Sequence, residues 1–232
     1  PTCCLMKETL FHTAKRINSQ AGFVYLLFFN PGFLEMTKNS ICNVLRVAHP
    51  LLDMTLFIST DIEATRIITF FQPDLQIFTL SSGLLESVSY GQLRYYELVL
   101  ERLYLQGELL EHGVNVYIIE SDQFLAADVT KVLREAFQSH EIIAGQESGF
   151  AISDSPIICG GFHGIAASPR AVSFFSSYVT EYAKELRERR SKDGMNTLEN
   201  YENDQIALTR HALEQGLKVH YVDRCVYASG IW

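Results

Sequence analysis

The stretch Val114-Asn-Val-Tyr-Ile-Ile-Glu-Ser-Asp122 decides how the chain is read, because an apolar run stops abruptly on two carboxylates, Glu120 and Asp122. The run has the length and character of a strand buried on both faces, as in a parallel sheet. In extended backbone residues i and i+2 point to the same side, so Glu120 and Asp122 face one way. Ahead of it, residues 90–112 carry Leu93, Tyr96, Leu100, Leu103, Leu105 and Leu109 as an apolar stripe at helical spacing, and Gly113 stops that helix.

Working outward, the same helix and strand rhythm recurs. Residues 22–30, Gly-Phe-Val-Tyr-Leu-Leu-Phe-Phe-Asn, predict the first strand, closed by Asn30-Pro31-Gly32. A helix over 34–47, a strand over 51–59, a helix over 62–71 capped by Asp61, and a strand over 75–80 follow. Beyond Asp122 the pattern predicts strands at 141–144 and 157–159, helices at 169–190 and 200–215, and a last strand at 218–222. Residues 1–20 are mildly amphipathic, and 187–200 reads as an exposed connection. Alternating strands and helices imply an α/β fold, a mainly parallel, Rossmann-like sheet flanked by helices. The Gly-rich stretch 149–164 breaks the rhythm and predicts a small antiparallel element.

Composition bounds what such a domain can bind. At 232 residues, 47% apolar and 20% charged, the chain is long enough for one well-buried domain spanning 1–232. Its 19 basic against 27 acidic residues give a net charge of −8, which argues against a nucleic acid partner. An anionic small molecule can still bind if a metal or a local Arg neutralises it. The five cysteines are scattered without zinc or redox spacing, and Cys42 and Cys159 are expected in the core. No apolar run reaches the roughly 20 residues of a membrane span, so any membrane attachment is expected through a segment outside this chain.

Open parallel sheets bind ligands at the carboxyl ends of their strands, which here are Asn30, Thr60-Asp61 and Glu120-Ser121-Asp122. Paired carboxylates are hard oxygen ligands suited to Mn²⁺ or Mg²⁺, and such an ion can bridge the phosphates of a nucleotide diphosphate. The plainer alternative for an acid-x-acid pair is a solvated turn or helix cap. Dinucleotide-binding Gly-x-Gly-x-x-Gly, Walker-type, nucleophile-elbow and zincin motifs are all missing.

The run Glu120-Ser-Asp-Gln-Phe-Leu-Ala-Ala-Asp128 resembles the acid-x-Asp…Asp signature of the nucleotide-diphospho-sugar transferase family with the GT-A fold, a group that includes plant cell-wall xylosyltransferases and arabinosyltransferases. Other features fall in matching order: Tyr90-Gly91 and Arg94-Tyr95-Tyr96, Leu109-Leu110-Glu-His-Gly113, Gly160-Gly161-Phe162, Asn203-Asp204-Gln205 and Ser229-Gly230. Glu120 stands where the family has Asp, and Phe124 or Leu125 where a Trp is common. The family's His-x-Asn metal-binding element would follow Trp232, so the resemblance implies a chain truncated at its C-terminus.

The resemblance implies a metal-dependent glycosyltransferase that moves a sugar from a nucleotide diphosphate sugar to a hydroxyl acceptor on a glycan, protein or small molecule, with retention of configuration. Asp122 would bind the metal, and Glu120 the metal or the ribose. Asn30 and Asp61 would meet base or ribose, although capping explains Asp61 as well. Tyr90 and Gln205 would lie on the donor side, and Arg94 would pair with a phosphate, for which a surface salt bridge is the alternative. Gly160 and Gly161 would let backbone approach the sugar, and Asp204 would be the catalytic carboxylate. His163 and His220 lack a partner at metal spacing and read as structural. A Golgi or secretory-lumen location follows from the same likeness, with the cytoplasm as alternative. The competing function is an inactive sugar-nucleotide or glycan-binding domain; a magnesium phosphohydrolase is disfavoured because Asn30, not Asp, ends the first strand.

Overall fold

The computed structural model describes residues 2–80, 93–152, 155–193, 204–223 and 227–228. In chain order the elements are α1 (Thr2–Ala21), β1 (Val24–Phe29), α2 (Leu34–Val47), α3 (Pro50–Asp53), β2 (Thr55–Ser59), α4 (Ile62–Phe71), β3 (Gln76–Thr79), α5 (Leu93–Glu111) and β4 (Val116–Ile119). They continue with β5 (Phe124–Leu125), α6 (Thr130–Ala136), β6 (Ile142–Ile152), β7 (Ser155–Ile165), α7 (Pro169–Asp193), α8 (Asp204–Glu214), β8 (Val219–Tyr221) and β9 (Tyr227–Ala228).

Seven strands form one sheet in the order β3-β2-β1-β4-β7-β6-β8, and β5 pairs with β9 in a small second sheet. The first four of these strands are parallel, β7 runs antiparallel to both β4 and β6, and β8 returns parallel to β6. The sheet is therefore mixed, mostly parallel and covered by helices. The antiparallel element foreseen around 149–164 is the β6–β7 hairpin, and it sits inside the sheet beside β4, not at its edge.

Local chemistry explains the elements. β1 is apolar throughout and β2 apolar between Thr55 and Ser59, and both are buried along almost their whole length because helices cover both faces. In α2 the buried residues include Thr37, Ser40, Ile41 and Val44, one face at helical spacing. Cys42 falls off that stripe and is exposed, against expectation, whereas Cys159 on β7 is buried. Asp61 caps α4 as the sequence predicts, its side chain accepting from the Ala64 N–H at 2.7 Å. Gly113 closes α5 with φ 79, a conformation that favours glycine, and so turns the chain into β4.

Some boundaries differ from the reading above. Residues expected to open the second strand form the short α3, because Pro50 starts a helical turn that buries Leu51 and Leu52. Residues 187–193, expected as a connection, continue α7 to Asp193; their composition is charged and helix-favouring, which suits an exposed helix face as well as a loop. Among the described residues no helix is long and apolar enough to cross a membrane.

Candidate active site

The parallel half of the sheet delivers the ends of β1 and β4 to one edge, where a cavity of about 200 Å³ opens. Phe28, Phe33, Tyr95 and Val99 supply apolar wall, and Asn30, Arg102, Glu120 and Asp122 supply polar groups. Asn30 carries a task besides lining the cavity, since its side-chain oxygen accepts from the Gly32 N–H at 2.9 Å.

Glu120 prolongs the sheet by one hydrogen bond, its N–H donating to the Gly161 carbonyl at 2.9 Å. That places the Glu120 carboxylate over Gly161, and a Cβ there would lie 2.7 Å from the carboxylate carbon. Gly160 does the same for α8, since a Cβ on it would meet the Asp204 carboxylate at 3.0 Å. The Gly160 N–H donates to Gln205 Oε1 at 3.1 Å, and the Ile158 N–H donates to Thr209 Oγ1 at 2.9 Å. Two glycines thus let two acids from distant parts of the chain sit against one strand.

Arg102 joins them. Its Nη1 donates to Glu120 Oε1 and its Nη2 to Asp204 Oδ2 at 2.7 Å, with the guanidinium almost wholly buried. Burial disfavours the charge, but the Glu120 and Asp204 carboxylates overcome it and raise the Arg102 pKa. Burial pushes the Asp204 carboxyl upward, and the Arg102 charge opposes that shift. Tyr178 steadies the start of α8 by donating its hydroxyl to the Asp204 carbonyl at 3.1 Å.

Asp122 stands apart from this fork. Its Oδ1 is buried without a hydrogen-bond partner, and its carboxyl is pushed up to about 6, by burial first and by the Glu120 charge second. The carboxylate of Glu147 on β6 adds a smaller push in the same direction. Beneath the site His163 is pushed down to about 3 by burial and by the Arg102 charge, and is held neutral. Cys159 is pushed up to about 12, chiefly by burial, and is an inert thiol.

The structure therefore gathers Asn30, Glu120, Asp122, Gly160, Gly161, Asp204 and Gln205 in one region. Two others are engaged in local contacts. Asp61 is taken up by its helix cap, and Arg94 is an exposed residue paired with Glu97 at 3.2 Å. Tyr90 lies outside the described residues. Asp128 is exposed and accepts from the Thr130 N–H at 2.9 Å, so it shapes the entry to α6. Arg102 is the residue that sequence reasoning missed. Its signal was present, because it falls with Val99, Leu103 and Gln106 on the stripe of α5 that is buried.

A metal fits this donor set. Asp122 Oδ1 is a hard oxygen with no protein partner, and Glu120 keeps Oε2 while Oε1 serves Arg102. Among the described residues no group of three His, Cys, Asp or Glu side chains converges as a metal cage. The protein ligands in view thus leave room for phosphate oxygens and water, as is usual for Mg²⁺ at a nucleotide.

Comparison with known proteins agrees with this layout. The family model described as nucleotide-diphospho-sugar transferase matches residues 50–229. Mouse xyloside xylosyltransferase 1 superposes with a TM-score of 0.53 at 11% identity, covering 87% of this chain and 85% of that one. The galactosyltransferase LgtC, solved with donor and acceptor sugar analogues, gives 0.55 at 12% identity over 87% of this chain and 73% of its own. The glycosyltransferase GlyE of Streptococcus pneumoniae gives 0.51 at 12% identity over 87% of this chain and 45% of its own. At such identities these likenesses speak to fold alone. Comparison with curated protein sequences finds no match. Since the family model spans most of the chain and the mixed sheet is that of the GT-A glycosyltransferases, the chain belongs to the nucleotide-diphospho-sugar transferase family and is a nucleotide-sugar glycosyltransferase.

Proposed function

We propose that this single catalytic domain transfers a sugar from a nucleotide diphosphate sugar to a hydroxyl group of a glycan, protein or small molecule, with Mn²⁺ or Mg²⁺ bound at Asp122 and Glu120 and with retention of configuration. The observation that carries the reading is the Arg102 fork, which ties the strand-end acid Glu120 to Asp204 across Gly160 and Gly161 while Asp122 Oδ1 is left without a hydrogen-bond partner beside the cavity. A charged fork of this kind, buried and doubly bonded, is a costly arrangement that stability alone does not call for.

The cavity's aromatic and aliphatic wall suits the nucleoside, with Asn30 as a polar contact. A divalent cation supplies Lewis-acid stabilisation of the negative charge that develops on the departing diphosphate. Asp204, held by Arg102, would orient the acceptor hydroxyl or stabilise positive charge on the sugar ring. The Gly160 N–H holds the Gln205 side chain beside it. Retention and a Golgi or secretory-lumen location are supported by the family resemblance alone.

The test is a thermal-shift panel of nucleotide sugars with and without Mn²⁺, followed by transfer assays on hits. A donor at 100 times its Kd stabilises by about 2.7 kcal/mol. Metal-dependent stabilisation with turnover supports the proposal. Stabilisation by a donor with no transfer to any acceptor would instead favour a binding domain.

A further inference from the structure

The face of the sheet beneath the Arg102 fork carries a second polar layer. His163 lies two residues along β7 from Gly161 and pairs across with Ile118 of β4. Gln106 lies one turn along α5 from Arg102. Because the chain reverses at Gly113, α5 descends as β4 ascends. Four residues of helix advance about 6 Å, and two residues of strand advance about 6.7 Å. The step from Arg102 to Gln106 therefore runs beside the step from Glu120 to Ile118, and brings Gln106 to the level of His163.

The polar groups in this layer are buried and unsatisfied. Gln106 is 0% exposed with neither amide atom hydrogen-bonded, and His163 is 1% exposed with neither ring nitrogen in a well-formed hydrogen bond; the backbone of Gly160 and Cys159 lies near the ring and can engage one nitrogen, which leaves the other to accept. Arg102 Nε has none either. Such groups are rare in native proteins and are commonly met by a buried water making about three hydrogen bonds. The chemistry here fits one. Arg102 Nε–H can only donate, while the Gln106 amide and a neutral imidazole can each accept or donate.

We infer that Gln106 and His163 hold a buried water against Arg102 Nε, and that both are positioning residues fixing the plane of the guanidinium that joins Glu120 to Asp204. The inference rests on reading those two acids as active-site groups. A guanidinium is planar, so pinning Nε as well as Nη1 and Nη2 removes its remaining rotation and sets the angle between the acids. His163 does this without adding a positive charge that would compete for the carboxylates.

The test begins with the wild-type protein. In ¹⁵N-edited spectra the Arg102 Nε–H should resist exchange and show a cross-peak to bound water, and both should be lost in His163→Leu and in Gln106→Leu. In transfer assays each variant should lower kcat about tenfold or more, as loss of an outer-shell support commonly does, with a smaller change in donor KM. The double variant should do little more than either alone, and His163→Gln, which keeps a polar side chain, should recover part of kcat. A rapidly exchanging Nε–H without a water contact in the wild type would overturn the inference even if the leucine variants do not fold. So would an Nε–H signal unchanged in both variants. An enzyme with no transfer activity but an intact water contact would leave this layer standing and sink the catalytic reading.

Discussion

Removing the guanidinium while keeping its bulk, by Arg102→Met, isolates the energetics of the fork. Arg102 bonds two carboxylates of unequal burial: the Asp204 side chain is 11% exposed and the Glu120 side chain 40%. The exposed half of the fork is screened by water and contributes little. The Asp204 half leaves an uncompensated buried charge, for which about 3–5 kcal/mol is expected. For a domain of this size each kcal/mol shifts Tm by about 2–4 °C, so Tm should fall by roughly 6–20 °C. The sign of the pH dependence follows from the same groups. Without Arg102, burial and the neighbouring Glu120 raise the Asp204 carboxyl still further, and a raised carboxyl favours the fold at low pH and loses that contribution as pH rises through it. The gap between variant and wild type should therefore be widest near pH ~8 and narrow toward pH ~5; titration of Asp122, common to both, cancels. Adding Asp204→Asn to Arg102→Met should recover much of the loss. Thermal melts by circular dichroism with a chelator present measure all of this. A variant melting within about 2 °C of wild type near pH 8, where less than 1 kcal/mol would be at stake, refutes the view that the fork is a buried charged pair.

Asp122→Asn should abolish Mn²⁺-dependent binding of a nucleoside diphosphate in calorimetry. Its carboxyl is pushed up to about 6, so the metal-free variant should also melt higher than wild type above that pH, the gap shrinking as pH falls below 6 and closing only below the ordinary carboxylate value of about 4; unchanged metal-dependent affinity would remove Asp122 from the site. Gly161→Ala drives a methyl group into the Glu120 carboxylate and should lose transfer with a stability cost of about 1–3 kcal/mol. Gly164→Ala, whose Cβ would sit 2.5 Å from the Tyr117 ring and 2.7 Å from Phe137, is the control, expected to lower Tm while any folded fraction keeps its donor affinity. Asp204→Asn should bind the donor almost normally and slow transfer by roughly a hundredfold or more, as expected for a charge needed in the transition state. Wild-type turnover would strike Asp204 from the reaction.

What was legible in the sequence follows the strength of local signals. α4 appears at its predicted residues because Asp61 writes its start and Gln72 with Pro73 its end, and α2 because one apolar face recurs at helical spacing. β4 was legible because an apolar run ends abruptly at Glu120, while the two acids that follow took their assigned role from the order of motifs shared with the family. The two-residue strands β5 and β9 were not, since each is fixed by its partner across the chain and by Asn43, whose side chain bonds the backbone of Leu125 at 2.8 and 3.0 Å. α3 was hidden because Leu51 and Leu52 are as apolar as a strand requires. In the site, Asp204 came from motif order, but its partner did not. Arg102 and Glu120 are 18 residues apart and Arg102 and Asp204 are 102 apart, so no local pattern encodes the fork. Arg94, at the more exposed start of the same helix, attracted the phosphate role that an unpaired cation would fill, and the structure pairs it with Glu97 instead.

The charge of the site ties these residues to the acidity of the whole chain. Glu120 and Asp204 share one guanidinium, Arg102, and Asp122 adds a third carboxylate beside Glu120, in a protein whose net charge is −8. Near neutral pH Asp122 is mostly ionised, since its carboxyl titrates about 6, and the cluster then holds an excess of negative charge in a partly buried place. A diphosphate approaching it meets repulsion and no free cation among the fork's groups, because Arg102 has both Nη groups committed to acids. A divalent ion on the unpartnered Asp122 oxygen, as proposed above, would reverse that sign locally while leaving the fork intact. Under that proposal metal and donor would bind with mutual dependence, each raising the affinity of the other by the same factor. On the same proposal an apolar wall that takes the nucleoside would carry none of that dependence, which would arise at the diphosphate end of the donor beside Asp122.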